Sequence, residues 1–181
     1  MSFDDWERLL SDSGRKTIDL AVEVVLRKPE LVPVVVRLSL ENKAQLSMRA
    51  ARVVSLLAEQ EPQLLTPAIP RFFERLPDLT VDGARREILR ALVSLSEYFT
   101  DESQYTRLLD FALAAALNPA EKVAVRYHAL RYIDMMYRRF PELKQELLAM
   151  TEILSSEEHS SSIKKHVAEL AQKLKSDGTG Y

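Results

Sequence analysis

The sequence predicts an all-α chain of about four to five helical hairpins, and three observations carry that prediction. Ala, Leu, Glu, Lys and Arg together supply 88 of the 181 residues, the composition of a long-helix protein. Only 4 residues are glycine, which disfavours turn-dense β-sandwiches and barrels. Apolar residues recur with the 3.6-residue helical period along nearly the whole chain. Helix content above roughly 65% is expected, about twice the ordinary share.

Taken in order, Phe3, Trp6, Leu9 and Leu10 give the N-terminus a short inward-facing stripe, a cap helix over residues 2–11. The valine-rich run Leu31 to Leu40 is ambiguous between strand and helix, and its neighbours favour helix. Ala50, Val53, Val54 and Leu57 share one helical face, as do Ile88, Leu92, Leu95 and Phe99. Ala129, Ile133, Met136 and Phe140 form a third stripe. Ile163, Val167, Leu170 and Leu174 form the fourth, in a C-terminal cap helix over 162–175.

These stripes are copies of one another. Residues 47–59, 85–97 and 126–138 superpose without gaps at offsets of 38 and 41 residues. Apolar residues then coincide at Ala50/Ile88/Ala129, Ala51/Leu89/Leu130, Val54/Leu92/Ile133 and Leu57/Leu95/Met136. A break follows each helix: Pro29-Glu30-Leu31, Pro62-Gln63-Leu64, Thr100-Asp101-Glu102-Ser103 and Pro141-Glu142-Leu143. Proline suits a helix start, where no amide donor is needed and φ near −65° is preferred. Pro67 and Pro70 crowd the second helix of one hairpin, so that helix is expected to start near Thr66 with Pro67 at its first position. Asn42-Lys43, Thr80 to Gly83 and Asn118 to Glu121 supply the turns between hairpins. A period of this length is that of a helical solenoid. Residues 1–175 are expected to form a single domain, with 176–181 a flexible tail.

The pattern Val125-Arg126-x-x-Ala129-Leu130-x-x-Ile133 and its two copies resemble the HEAT and armadillo-type helical repeats. The Leu31-Val32-Pro33-Val34-Val35-Val36 segment is similar to the second helix of such a repeat. The resemblance covers about residues 15 to 175 and implies a right-handed α-α superhelix whose second helices line the concave side. It specifies a fold and no particular partner.

Composition and motifs narrow the function. The net charge is −2, and the three successive thirds of the chain carry 9, 6 and 10 basic against 9, 9 and 9 acidic residues. No third is a basic nucleic-acid domain. The sequence lacks cysteine, and its acidic N-terminus has no signal-peptide core, so a cytoplasmic protein is expected. Leu109 to Leu117 is the longest apolar run and contains Asp110, too short for a membrane span.

No catalytic constellation stands out. His128, His159 and His166 have no histidine partner at i+3 or i+4, unlike the His-Glu pairs of iron-binding HEAT-repeat hydroxylases. Glu157-Glu158-His159 reads as a polar loop rather than a metal site. No Gly-x-Ser-x-Gly elbow, phosphate-binding glycine loop or Ser-Ser-x-Met-Pro-x-Lys lyase loop occurs. No cofactor and no metal are expected. HEAT-like DNA glycosylases use several groove tryptophans, whereas this chain has Trp6 alone. Its second-helix cations, Arg37, Arg71, Arg75, Arg107 and Lys144, alternate with Glu74, Asp110 and Glu146. That alternation disfavours nucleic acid, which selects a ladder of like charge.

The expected function is therefore a non-catalytic interaction module that binds a protein or peptide along its concave face. The alternative is a HEAT-like nucleic-acid-binding protein or a small enzyme of unrecognised chemistry. Two candidate contact sets remain. Arg52, Arg90 and Arg131 share one repeat position, about 200° around the helix from the core, and would form a positive outer row with Tyr127 against Arg131. The reading as a plain solvated face predicts that replacing each of the three changes stability by no more than about 0.5 kcal/mol. Phe72, Phe73, Phe99, Phe111, Tyr132 and Phe140 fall mostly on apolar stripes and are expected to fill the core; if one of the adjacent pair Phe72 and Phe73 points outward, it is a candidate contact on the concave surface.

Overall fold

The computed structural model describes residues 3–12, 14–156 and 160–176. Of these, 86% are helical, with no strand among them. Ten α-helices follow in order: α1 (Phe3–Leu9), α2 (Arg15–Arg27), α3 (Val32–Ser39), α4 (Ala44–Gln60), α5 (Ile69–Arg75), α6 (Asp82–Leu95), α7 (Glu102–Leu117), α8 (Val123–Arg139), α9 (Lys144–Ser156) and α10 (Ser161–Ser176). In chain order the helices follow as four successive pairs, α2–α3, α4–α5, α6–α7 and α8–α9. The helices α1 and α10 precede and follow these pairs in the chain. The valine-rich segment is helical, in α3. The 176–181 tail, except Ser176 at the end of α10, lies outside the described residues.

The proline breaks start 3-10 turns, at Pro29–Leu31, Pro62–Ala68 and Pro141–Leu143. The tighter winding continues through Pro67, and α5 begins only at Ile69, with Pro70 in its first turn. The helix start thus lies beyond Thr66, because a 3-10 segment accommodates Pro67 without breaking an α-helical ladder. Where the third break lacks proline, side chains do the same work. Gln104 Oε1 accepts the N–H groups of Thr100 and Asp101 at 2.9 and 3.3 Å, and Asp101 Oδ1 accepts that of Ser103 at 2.9 Å. This is a reciprocal cap on α7. The Ser103 N–H holds the Asp101 carboxyl below the usual aspartate range.

The chain divides into two compact bodies, Met1–Arg107 and Leu108–Tyr181. In the first, α4 packs against α6, α3 and α2. Its core holds Trp6, Leu10, Ile18, Val35, Val54, Leu57, Leu89 and Leu92, all buried. The side chain of Leu9 is half-buried. Asn42, at φ 57°, makes a left-handed turn that asparagine tolerates. Its Nδ2 donates to the Asp78 carbonyl and its Oδ1 accepts the Thr80 N–H, both at 2.9 Å. One inter-hairpin turn is thereby fastened to the next.

In the second body α10 packs against α8 and α9, around Ile133, Met136, Leu147, Met150, Val167, Leu170 and Leu174. All twelve residues of the aligned apolar ladder are buried. The ladder also carries a polar rule. Ser47 Oγ donates to the Leu38 carbonyl at 2.8 Å, and Arg126, at the same repeat position, donates Nε and Nη2 to the Ala116 carbonyl at 3.0 and 2.8 Å. The first helices α4 and α8 thus each satisfy a carbonyl in the last turn of the helix before them, where intrahelical donors run out.

Candidate binding groove

The second helices of the first two hairpins are short, eight residues in α3 and seven in α5. Between α3 and the Pro62–Ala68 turn lies a hollow of about 300 Å³, walled by Val32, Pro33, Val36, Leu64, Pro67 and Ala68. Prolines have no N–H to hydrate, and valine and alanine are too small to fill the gap, so an apolar surface stays open to solvent. Arg71 borders this hollow and also a second, polar one of about 530 Å³, whose walls include Arg37, Glu41, Glu74 and Arg75. One guanidinium therefore joins an apolar half to a charged half.

The charges in the polar half are partly spent. Arg37 and Lys43 reach Glu41 at 3.6 and 3.1 Å, and Arg75 reaches Asp78 at 3.8 Å. Such exposed pairs hold their partners weakly. Arg71 is exposed and makes no ion pair among the described residues. The mixture of signs read from Arg37, Arg71, Arg75 and Glu74 is thus the mixture found at this surface.

Both Phe72 and Phe73 are buried, as core-filling aromatics are expected to be, so the conditional outward contact of one of them does not arise. Burial of two adjacent residues requires cover from two directions, and α5 has it. Phe99 meets the Phe73 ring edge-on at 5.3 Å, and the Arg107 guanidinium lies 5.2 Å from its centroid. Neither phenylalanine offers a surface contact.

The arginine row also takes a different form. Arg52 and Arg90 are drawn to Glu87, a carboxylate only 2% exposed. Arg52 Nη1 lies 3.6 Å and Arg90 Nη1 3.5 Å from it. Arg86 donates to its Oε1 through Nε at 3.2 Å and Nη2 at 2.8 Å, and the Ser55 hydroxyl donates to its Oε2 at 2.6 Å. Arg90 further clamps Glu59 through two bonds of 2.8 and 2.9 Å. Arg131, in the second body, is exposed. Tyr127 packs on His166, with ring centroids 5.3 Å apart, and not on Arg131. Joint replacement of Arg52, Arg90 and Arg131 by glutamine should therefore cost about 2 kcal/mol in chemical denaturation, because charge-assisted bonds are lost around a buried carboxylate. A denaturation midpoint equal to wild type would return the row to the status of a solvated face.

The Glu157-Glu158-His159 loop lies outside the described residues. Among those described, no cluster of three or more His, Asp or Glu side chains could hold a metal ion, and no helix is long and apolar enough to cross a membrane. A family model described as a HEAT repeat domain matches residues 6–174. The chain belongs to the HEAT repeat family. Its hairpins are HEAT repeats, and its fold is that of an all-α solenoid. No curated protein and no solved structure matches the chain. Glu87, Arg86 and the proline-walled hollow are features of this HEAT repeat chain that its periodicity alone does not single out.

Proposed function

We propose that this HEAT repeat chain is a non-catalytic interaction module whose α3–α5 groove takes an extended peptide segment of a partner protein. One observation carries the reading: an unpaired arginine, Arg71, joins an apolar hollow to a charged one. A peptide that places an aliphatic or aromatic side chain against Val36 and Leu64, with a carboxylate a few residues away at Arg71, matches both halves. Apolar burial supplies affinity, and the charge sets direction along the groove. Glu41 and Glu74 in the polar half repel a phosphate backbone, which favours peptide over nucleic acid.

Selection from a random dodecapeptide library tests this. Enriched sequences are expected to pair a large apolar residue with a nearby Asp or Glu. Arg71→Glu and the groove-filling Ala68→Trp should each weaken a selected peptide at least tenfold, about 1.4 kcal/mol, with helicity preserved. No enrichment, or enrichment indifferent to both substitutions, overturns the reading.

A further inference from the structure

A second cleft opens among the first helices of the N-terminal body, lined by residues of α2, α4 and α6 and by none of the groove's. Its volume is about 210 Å³, and its lining is Arg15, Ile18, Met48, Arg49, Arg52 and Arg86. Four of six lining residues are arginines, and no acidic side chain is among them. Among the described residues, the ion pairs of Arg15, Arg52, Arg86 and the neighbouring Arg90 are with Asp19, Glu59 and Glu87. With Arg49, five arginines stand against these three carboxylates, and the Asp12 carboxylate nearby is engaged by Gly14 and Thr17. Arg49 meets no carboxylate among the described residues. It donates Nη1 to the Leu10 and Ser11 carbonyls at 2.7 and 2.6 Å and Nη2 to Gln45 at 2.8 Å, while its Nε is buried with no acceptor.

Three of the four lining arginines are also held in place before any ligand arrives, while Arg15 is exposed and free to close on one. Buried Glu87 fixes Arg86 and draws in Arg52, and Arg49 is anchored on backbone carbonyls, so little side-chain freedom remains to be lost on binding. Ile18 is buried and Met48 is half-buried; both present apolar atoms to the cleft, which strengthens charge interactions there. Met48 lies across the first turn of α6 because Gly83 has no Cβ; a Cβ at that position would overlap the methionine's Cγ and Sδ.

We propose that this cleft binds a phosphate group, as the free anion or as the head of a small phosphorylated molecule. A dianion suits this excess of arginine over carboxylate better than a single carboxylate does. Its tetrahedral oxygens accept from several guanidinium forks at once, the geometry for which arginine is suited. The proposal is independent of the peptide groove.

Isothermal titration of the full chain with inorganic phosphate tests it. Parallel titrations use phenyl phosphate and acetate. Saturable phosphate binding is expected, weakening as sodium chloride is raised. Tighter binding of phenyl phosphate assigns the site to a phosphorylated molecule, and tighter binding of inorganic phosphate assigns it to the free anion. Arg15→Gln, at an exposed side chain whose contact is with Asp19 alone, should weaken phosphate several-fold. Combined with Arg52→Gln, the loss should reach at least tenfold. Arg71→Gln, which alters only the groove, should leave phosphate affinity unchanged. The proposal is overturned if native protein shows no saturable binding by about 10 mM, if acetate binds as tightly as phosphate, or if the helical Arg15→Gln protein binds phosphate as well as wild type.

Discussion

Glu87→Gln is expected to destabilise the N-terminal body by about 2–4 kcal/mol, although the replacement keeps the side chain's size and shape. The carboxylate is 2% exposed and is bonded by Ser55 and Arg86 and approached by Arg52 and Arg90. Removing one partner of a buried ion pair typically costs 3–5 kcal/mol, since the other is left uncompensated. Here the arginines retain partial access to water, with side-chain exposures of 45%, 34% and 28% for Arg52, Arg86 and Arg90. They rehydrate in part, and the cost moves to the lower end. Chemical denaturation measures it, with Glu59→Gln as the comparison. Glu59 is 39% exposed, so that variant should lose no more than about 1 kcal/mol. The Glu87 effect should persist in high salt, which screens exposed pairs far more than buried ones. Equal losses for the two variants would mean that burial does not distinguish Glu87 and that the arginines arrange themselves without it.

The HEAT repeat architecture was readable from the sequence because its determinants are local. A 3.6-residue period, copied at offsets of 38 and 41 residues, places Ala50, Ile88 and Ala129 in equivalent buried positions whatever the neighbours are. The prolines likewise act on their own backbone, although Pro67 acts by sustaining a 3-10 turn rather than by starting α5. What escaped the sequence depends on residues far apart along the chain. Glu87 sits in the run Arg85-Arg86-Glu87, which reads as a solvated face. The packing of α6 on α4 brings Ser55, 32 residues away, to its buried carboxylate. One signal was present: Glu87 lies three residues before Arg90, and Arg52 shares the repeat position of Arg90. The groove joins Val36 to Leu64 and Ala68, residues in two different hairpins. The rule that adjacent helical residues face different ways failed at Phe72 and Phe73 because it assumes burial from one side. Phe99 and Arg107 cover the other side.

Leu92→Ala and Ile133→Ala are each expected to cost about 2–5 kcal/mol. The two residues occupy one repeat position, in α6 and α8, and both are fully buried. Each truncation removes three carbons, which at about 0.8 kcal/mol per buried methylene is about 2.4 kcal/mol of lost transfer energy. A cavity penalty adds to this wherever the surroundings cannot collapse. Leu92 belongs to α6, which packs along α4, and two long helices in register leave little room for collapse. Its cost should therefore lie in the upper half of the range. Ile133 belongs to α8, which packs on α10, and its cost should lie within the same range. Leu20, 51% exposed on α2, provides the contrast: Leu20→Ala should change stability by no more than about 0.5 kcal/mol. Denaturation curves for Leu92→Ala that superimpose on wild type, with Leu20→Ala the more damaging change, would show that the helices turn a different face to the core and would undo the repeat alignment itself.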